Sequence, residues 1–235
     1  MPEVTIITGL FLGFLLGVKH ALDADHIVAV ATVASRSNSL LHSALVGLSW
    51  GIGHTITLLI VGFVVLVFKL TIPDKLVLSM EFVVGVVLIV LGIPLVKQLV
   101  TGRIHVHPHQ HKDKRHLHSH SHNDTPAHAH QHIRRPLLIG MVHGLAGSGA
   151  LTILVLSTMP SVTRGITFVL VFGMGSIMSM LLFSGLIGLP FKFATKLSLR
   201  LNLWLRGTAG LISISLGFVI MWQTGFVAGL FLPTT

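Results

Sequence analysis

Six stretches of this 235-residue chain are apolar over at least the ~20 residues that a helix needs to cross a bilayer core of about 30 Å, at roughly 4–33, 40–68, 77–97, 136–157, 164–188 and 207–231. Backbone inside lipid must satisfy its own N–H and C=O groups, so runs of this length fold as helices. The breaks between them carry turn residues: Ser35-Arg36-Ser37-Asn38-Ser39, Pro73-Asp74, Pro136, Pro160-Ser161 and Pro190. With 52% hydrophobic and only 10% charged residues, and a mean hydropathy of +0.86, the expected class is an all-α membrane protein of six transmembrane helices. Met1-Pro2-Glu3 lacks a basic leader region and the first apolar run is too long for a cleaved signal, so that run is expected to stay as a helix.

Within the first run stands Lys19-His20-Ala21-Leu22-Asp23-Ala24-Asp25-His26-Ile27. One Lys and two Asp left unpaired at a helix centre would cost on the order of 7 to 10 kcal/mol, comparable with a whole domain's stability. The members must therefore satisfy one another, or an ion must do it for them. On a continuous helix His20, Asp23 and His26 share one stripe while Asp25 points elsewhere, and Lys19 can reach Asp23. If the helix opens near Leu22 to Asp25, Asp25 can join the group. Two imidazoles and a carboxylate suit a first-row divalent ion such as Ni²⁺, Co²⁺ or Zn²⁺, whereas Mg²⁺ and Ca²⁺ prefer oxygen shells and Cu⁺ prefers sulfur. The alternative is a self-neutralised cluster that only holds the helix against a neighbour. Intramembrane ionisable groups are by default functional, which favours the metal site.

The halves of the chain repeat. Gly17-x-x-His20-x-Leu22 matches Gly140-x-x-His143-x-Leu145 at an offset of 123, Gly51-x-Gly53-His54 matches Gly173-x-Gly175-Ser176 at 122, and Gly85 and Gly92 match Gly210 and Gly217 at 125. Three helices per unit is an odd number, so the second copy must run inverted. Two inverted three-helix repeats are therefore expected, and inverted repeats are characteristic of secondary transporters, with the site near midplane where the repeats meet; a duplication without transport is the plainer alternative. The copies differ in chemistry: Asp23, Asp25, His26 and His54 face Ala146, Ser148, Gly149 and Ser176, and only His20 keeps its counterpart in His143. One asymmetric site follows, with His20, Asp23, Asp25 and His26 as ligands and His54 and His143 as candidates to complete or orient the shell, or else to serve as interhelical hydrogen-bond partners.

Lys19 to Ile27 resembles the signature of the nickel/cobalt transporter family, a basic residue followed by His-Ala-x-Asp-Ala-Asp-His-Ile, and Trp50-Gly51-Ile52-Gly53-His54-Thr55 resembles its second motif, Gly-His-Ser/Thr. The chain is shorter than the eight-helix members and lacks their later Asp-Thr-Ala-Thr-Glu motif. At that place His143-Gly144-Leu145-Ala146-Gly147-Ser148-Gly149 looks like the short, urease-accessory-type branch. The resemblance implies transport of Ni²⁺ or Co²⁺, as substrate and not as cofactor, with no enzymatic activity. A zinc or cobalt exporter remains open. So does a rival from another class, an intramembrane serine protease built on Gly147-Ser148-Gly149, although the turn begins with Ala146 and the sixth span has no His to act as base.

Between the halves, residues 105–132 hold eleven of the chain's sixteen histidines, most of them alternating with other residues. Exposed neutral imidazoles hold divalent ions, so this tract is expected to be a metal buffer, sensor or delivery arm, disordered without metal; a merely hydrophilic linker is the plainer alternative. The organisation expected is thus 1–104 as the first repeat, 105–135 as the His-rich loop and 136–235 as the second repeat. Twelve of the sixteen Lys and Arg fall on the side of that loop and three on the other, which puts the loop in the cytoplasm and both termini outside the inner membrane. The net charge of +9 therefore reads as topology signal and not as a nucleic-acid surface. Expected partners are a divalent ion and the bilayer, with a cytoplasmic metallochaperone able to meet the loop. The absence of Cys excludes disulfides, thiolate sites and a Cys nucleophile. Binding through imidazole should weaken as pH falls, because a protonated ring cannot ligate.

Overall fold

A computed structural model of the chain describes residues 2–37, 39–70, 72–101, 105–111, 114–120, 131–145 and 161–232. In chain order α1 (Pro2–His20) and α2 (Ala24–Ala34) lead to α3 (Leu40–Phe68) and α4 (Asp74–Thr101). The strands β1 (His105–His111) and β2 (Lys114–His120) follow, then α5 (Gln131–Gly144), α6 (Val162–Leu197) and α7 (Leu199–Trp222), which runs on into a π-helical turn at Gln223–Val227.

The helices α3, α4, α6 and α7 with its π turn are each long and apolar enough to cross a membrane, and α1 with α2 qualifies as a fifth crossing bent by 55° at its break. The surface fits that solvent. Phe11, Ile60, Phe63, Leu182 and Trp204 stand exposed on the outside, while His20, His26, His54, His143, Ser176 and Ser213 are buried inside. Lipid rewards apolar side chains facing out and leaves polar ones to find partners within the protein. The chain is a multi-pass membrane protein.

The second span falls where the sequence puts it, at Leu40–Phe68. Ser39 caps it by accepting from the His42 amide, and Ser161 caps α6 from the Arg164 amide, each supplying a partner to an orphan N–H of the first turn. At its other end α3 stops on Lys69, held in the left-handed region at φ 49°. Two expected breaks are corrected: Pro136 lies inside α5 and Pro190 inside α6, which continues to Leu197. A proline in a membrane helix forfeits one backbone bond that neighbouring helices can compensate, so it need not end the helix. Of the fourth expected span, α5 accounts for the part up to Gly144, and 146–160 lie outside the described residues.

Small residues let the helices meet backbone to backbone. On α1 and α6, a methyl at Gly17 would strike the Phe172 carbonyl and one at Gly175 the Phe14 carbonyl. On α3 and α5, Gly53 lies against the Leu137 carbonyl and Gly140 against that of Trp50. Gly85 and Gly217, and Gly92 and Gly210, pair across α4 and α7. Hydroxyls add bonds between helices: Ser213 donates to the Leu88 carbonyl at 2.7 Å, Ser179 to that of Val18 at 3.3 Å, and Ser184 to that of Ser43.

The candidate membrane spans are all helical, as expected, and the two strands lie in the His-rich segment. β1 and β2 pair antiparallel with His105, His107 and His109 opposite His120, His118 and His116. The period-two alternation of these histidines is the strand period, which is why the tract can pair with itself.

Candidate metal centre

The centre is made by the break in the first span. After His20 the chain turns over Ala21, Leu22 and Asp23, held by bonds from the Leu22 amide to the Lys19 carbonyl (2.9 Å) and from the Asp23 amide to the His20 carbonyl (3.0 Å). Asp23 takes the N-cap position of α2 in extended conformation, but its side chain makes no cap. Its carboxylate instead accepts from Nδ1 of His20 at 2.9 Å. The new helix axis then swings Asp25 and His26 inward in its first turn, where the positive end of the helix dipole favours a carboxylate. A continuous helix could not have brought Asp25 to the same place as His20.

Four imidazoles meet there. His20, His26, His54 and His143 are 8%, 1%, 0% and 2% exposed. The His26 ring centroid lies 4.4 Å from those of His20 and His143, and the His54 centroid 5.0 and 5.2 Å from those of His20 and His26. His54 comes from the middle of α3 (Leu40–Phe68), a helix of 29 residues long and apolar enough to cross a membrane. α5 brings His143 on its last turn.

The hydrogen bonds decide which lone pairs are free. An ionised carboxylate only accepts, so the ring nitrogen facing it carries the proton. Nδ1 of His20 donates to Asp23, Nδ1 of His26 donates to Asp25 at 3.3 Å, and Nε2 of His143 donates to the other oxygen of Asp25 at 2.9 Å. Nε2 of His20, Nε2 of His26 and both nitrogens of His54 are buried without a partner among the described residues. A buried polar atom left unpaired costs about 1 to 3 kcal/mol, so several in one place signal something that binds there. Among the described residues, two sets of donor atoms lie within 4.8 Å of one another: one each from His20, His26 and His54, and one each from Asp25, His26 and His143. An Asp bonded to the far nitrogen of a ligating His is the usual support of a metal site, fixing the tautomer and strengthening the ligand.

All six residues predicted from the sequence therefore gather here, with their roles redistributed. His20, His26 and His54 form the fully buried set. Asp25 and His143 adjoin it through His26. Asp23, half-exposed, belongs to neither set and orients His20. It meets His20 and not Lys19, the partner that helical spacing had suggested, because the turn at Ala21–Asp23 removes the i, i+4 geometry. The sequence reading missed the aromatic walls. Phe172 stacks on His20 at 5.6 Å between centroids, and Trp50 meets His143 edge-on at 5.5 Å. The one signal for them was position, since each precedes a glycine of the repeated motif. Gly147-Ser148-Gly149 lies outside the described residues.

Residues 27–219 match the family model described as "Cytochrome C biogenesis protein transmembrane region". That match begins directly after His26, so it covers the scaffold and leaves Lys19 to His26 outside it. The chain is also 38% identical to the urease accessory protein UreH of Bacillus sp. (strain TB-90) over 231 residues, 98% of both chains, a length that includes the centre. No solved structure matches. A membrane bundle matching the family model over most of its length, with a full-length relative of this identity, belongs to the cytochrome c biogenesis transmembrane-region family, as a UreH-like member.

Proposed function

We propose that the chain is a membrane permease for nickel or cobalt, and that the ion crosses at the His20, His26 and His54 centre. One observation carries the reading: three buried imidazoles, each with a ring nitrogen left unpartnered, can offer one donor atom apiece within 4.8 Å of one another, with His54 at the middle of a helix long enough to cross a membrane. Such a donor set replaces part of the water that a divalent ion gives up on entering lipid. Neutral nitrogens select first-row divalent ions over Mg²⁺, Ca²⁺ and Cu⁺. Nickel is favoured by the likeness of Lys19 to Ile27 to the nickel/cobalt transporter signature and by the urease accessory role named for the relative. Zinc is the runner-up ion, because three histidines with an open position are also a zinc donor set. The descriptions of the relative and of the family model name an accessory protein and a transmembrane region, which speaks for transport over proteolysis.

The six-span plan of two inverted repeats is part of the proposal. The glycine contacts support it, because exchanging the halves maps each onto another. Gly17 on Phe172 becomes Gly140 on Trp50, Gly53 on Leu137 becomes Gly175 on Phe14, and the Gly85–Gly217 pair becomes Gly210–Gly92. Two halves related in this way can rock about their shared interface and open the midplane to one side at a time. The Lys and Arg bias supports a cytoplasmic ribbon and external termini, and the ribbon's imidazoles would collect ions on that side or pass them to a metallochaperone.

The test is flux of Ni²⁺, Co²⁺ and Zn²⁺ into sealed liposomes holding the purified chain, measured by inductively coupled plasma mass spectrometry beside His20→Ala and a chain lacking 105–132. Ni²⁺ or Co²⁺ should enter many-fold faster than through empty liposomes, and His20→Ala should remove most of the gain. If no ion moves faster than the empty control, the permease reading fails.

A further inference from the structure

His26 belongs to both donor sets, and it cannot serve both at once. With Asp25 ionised, the single ring proton of His26 belongs on Nδ1, which faces that carboxylate, and the unpartnered Nε2 is the nitrogen left to offer beside the neighbouring rings of His20 and His54. In that tautomer the three-imidazole set is ready for an ion, while the second set is shut on itself: both oxygens of Asp25 are occupied, one by His26 and one by Nε2–H of His143. His143 keeps an unpartnered Nδ1 to which its own proton can move. If the ring protons of His26 and His143 each shift to the opposite nitrogen of the same ring, no proton is gained or lost. Nδ1 of His26, Nε2 of His143 and a freed Asp25 carboxylate then face one another, and Nε2 of His26 can no longer ligate in the first set.

We propose that the centre holds one ion at two adjoining positions in turn, first on His20, His26 and His54 and then on Asp25, His26 and His143, with the His26 ring as the shared hinge of the handover. The proposal rests on the metal-ion reading above and deepens it. The first set comes wholly from α1, α2 and α3, that is, from the first half of the chain, whereas the second joins α2 to α5 of the other half. An ion in the first position is thus held by one half alone, and an ion in the second bridges the two. The carboxylate in the second set also balances part of the ion's charge where the first set offers none. A movement of the halves against each other would disturb the second set and spare the first, which gives the step a direction within the centre and ties it to the opening of the bundle.

The experiment is Co²⁺ titration of the purified full chain in nanodiscs, read by the visible d–d bands, which follow the donor set, and by metal content after desalting. Because the His-rich tract also binds Co²⁺, every sample is compared with His26→Gln, which keeps the tract and loses both sets. Wild type should hold one more ion than His26→Gln, and its spectrum should resolve into two components. His143→Gln should keep one ion with only the first component, since the Gln amide can still donate to Asp25 but cannot ligate. His54→Gln should keep one ion with only the second. His143→Ala and His54→Ala serve where a Gln variant does not elute as a single species. Two ions above the reference would overturn the handover, as would identical spectra from the two variants or loss of the ion in either one. In each of those cases the metal-ion reading stands. No ion above the reference in wild type would overturn both.

Discussion

At the scale of single residues, the proposed function separates side chains that would touch an ion from those that would hold the ligands. Asp23 is of the second kind: it fixes the His20 ring through Nδ1 and lies outside both donor sets. Asp23→Asn should therefore weaken ion binding by about 10- to 100-fold without abolishing it, the usual effect of losing an outer carboxylate. Isothermal titration of the purified variant checks this, and a complete loss would make Asp23 a ligand after all. The clustering of His20, His26 and their neighbouring carboxylates was legible in the sequence because ionisable groups inside an apolar run are costly unless they meet partners. Phe172 and Trp50 were not, since an aromatic residue in a membrane helix is unremarkable until the fold lays it against an imidazole.

At the scale of elements, helix contacts in lipid depend on how closely backbones approach. Gly17 is pressed against the Phe172 carbonyl of α6, whereas a methyl at Gly9, two turns earlier on α1, would have nothing within 4 Å among the described residues. Gly17→Ala should lower stability by roughly 1 to 3 kcal/mol, the cost of overpacking, and Gly9→Ala should be neutral or stabilising by up to about 1 kcal/mol. Thermal melts of the purified variants in one detergent compare the two directly. At the end of α3, Lys69 holds a left-handed conformation that suits glycine, so Lys69→Gly should be tolerated while Lys69→Ile should lower the melting temperature. Periodicity and hydropathy gave the run of α3 to the residue, because both ends coincide with a change from apolar to polar. They misplaced the ends at Pro136 and Pro190, because whether a proline stops a membrane helix depends on neighbours that one segment's sequence does not contain.

For the whole molecule, orientation is open to a clean experiment because the chain has no Cys. Single substitutions Asn123→Cys, in the His-rich segment, and Asp74→Cys, between the second and third spans, should react with a membrane-impermeant maleimide from opposite sides, Asn123→Cys from the cytoplasm only. Labelling of both from one side would contradict the inverted arrangement. By itself the sequence determined that the chain lives in lipid as a set of apolar helices, and that one cluster of imidazole and carboxylate groups had to be answered for, since these follow from transfer energies and chain-local periodicity. Only the tertiary structure decided that the first span bends by 55° after His20, that His54 and His143 arrive from α3 and α5, and that the carboxylates brace rings whose other nitrogens stay bare. Those outcomes depend on which backbones pack together, and a helix buried among others takes its final angle from its neighbours and not from its own residues.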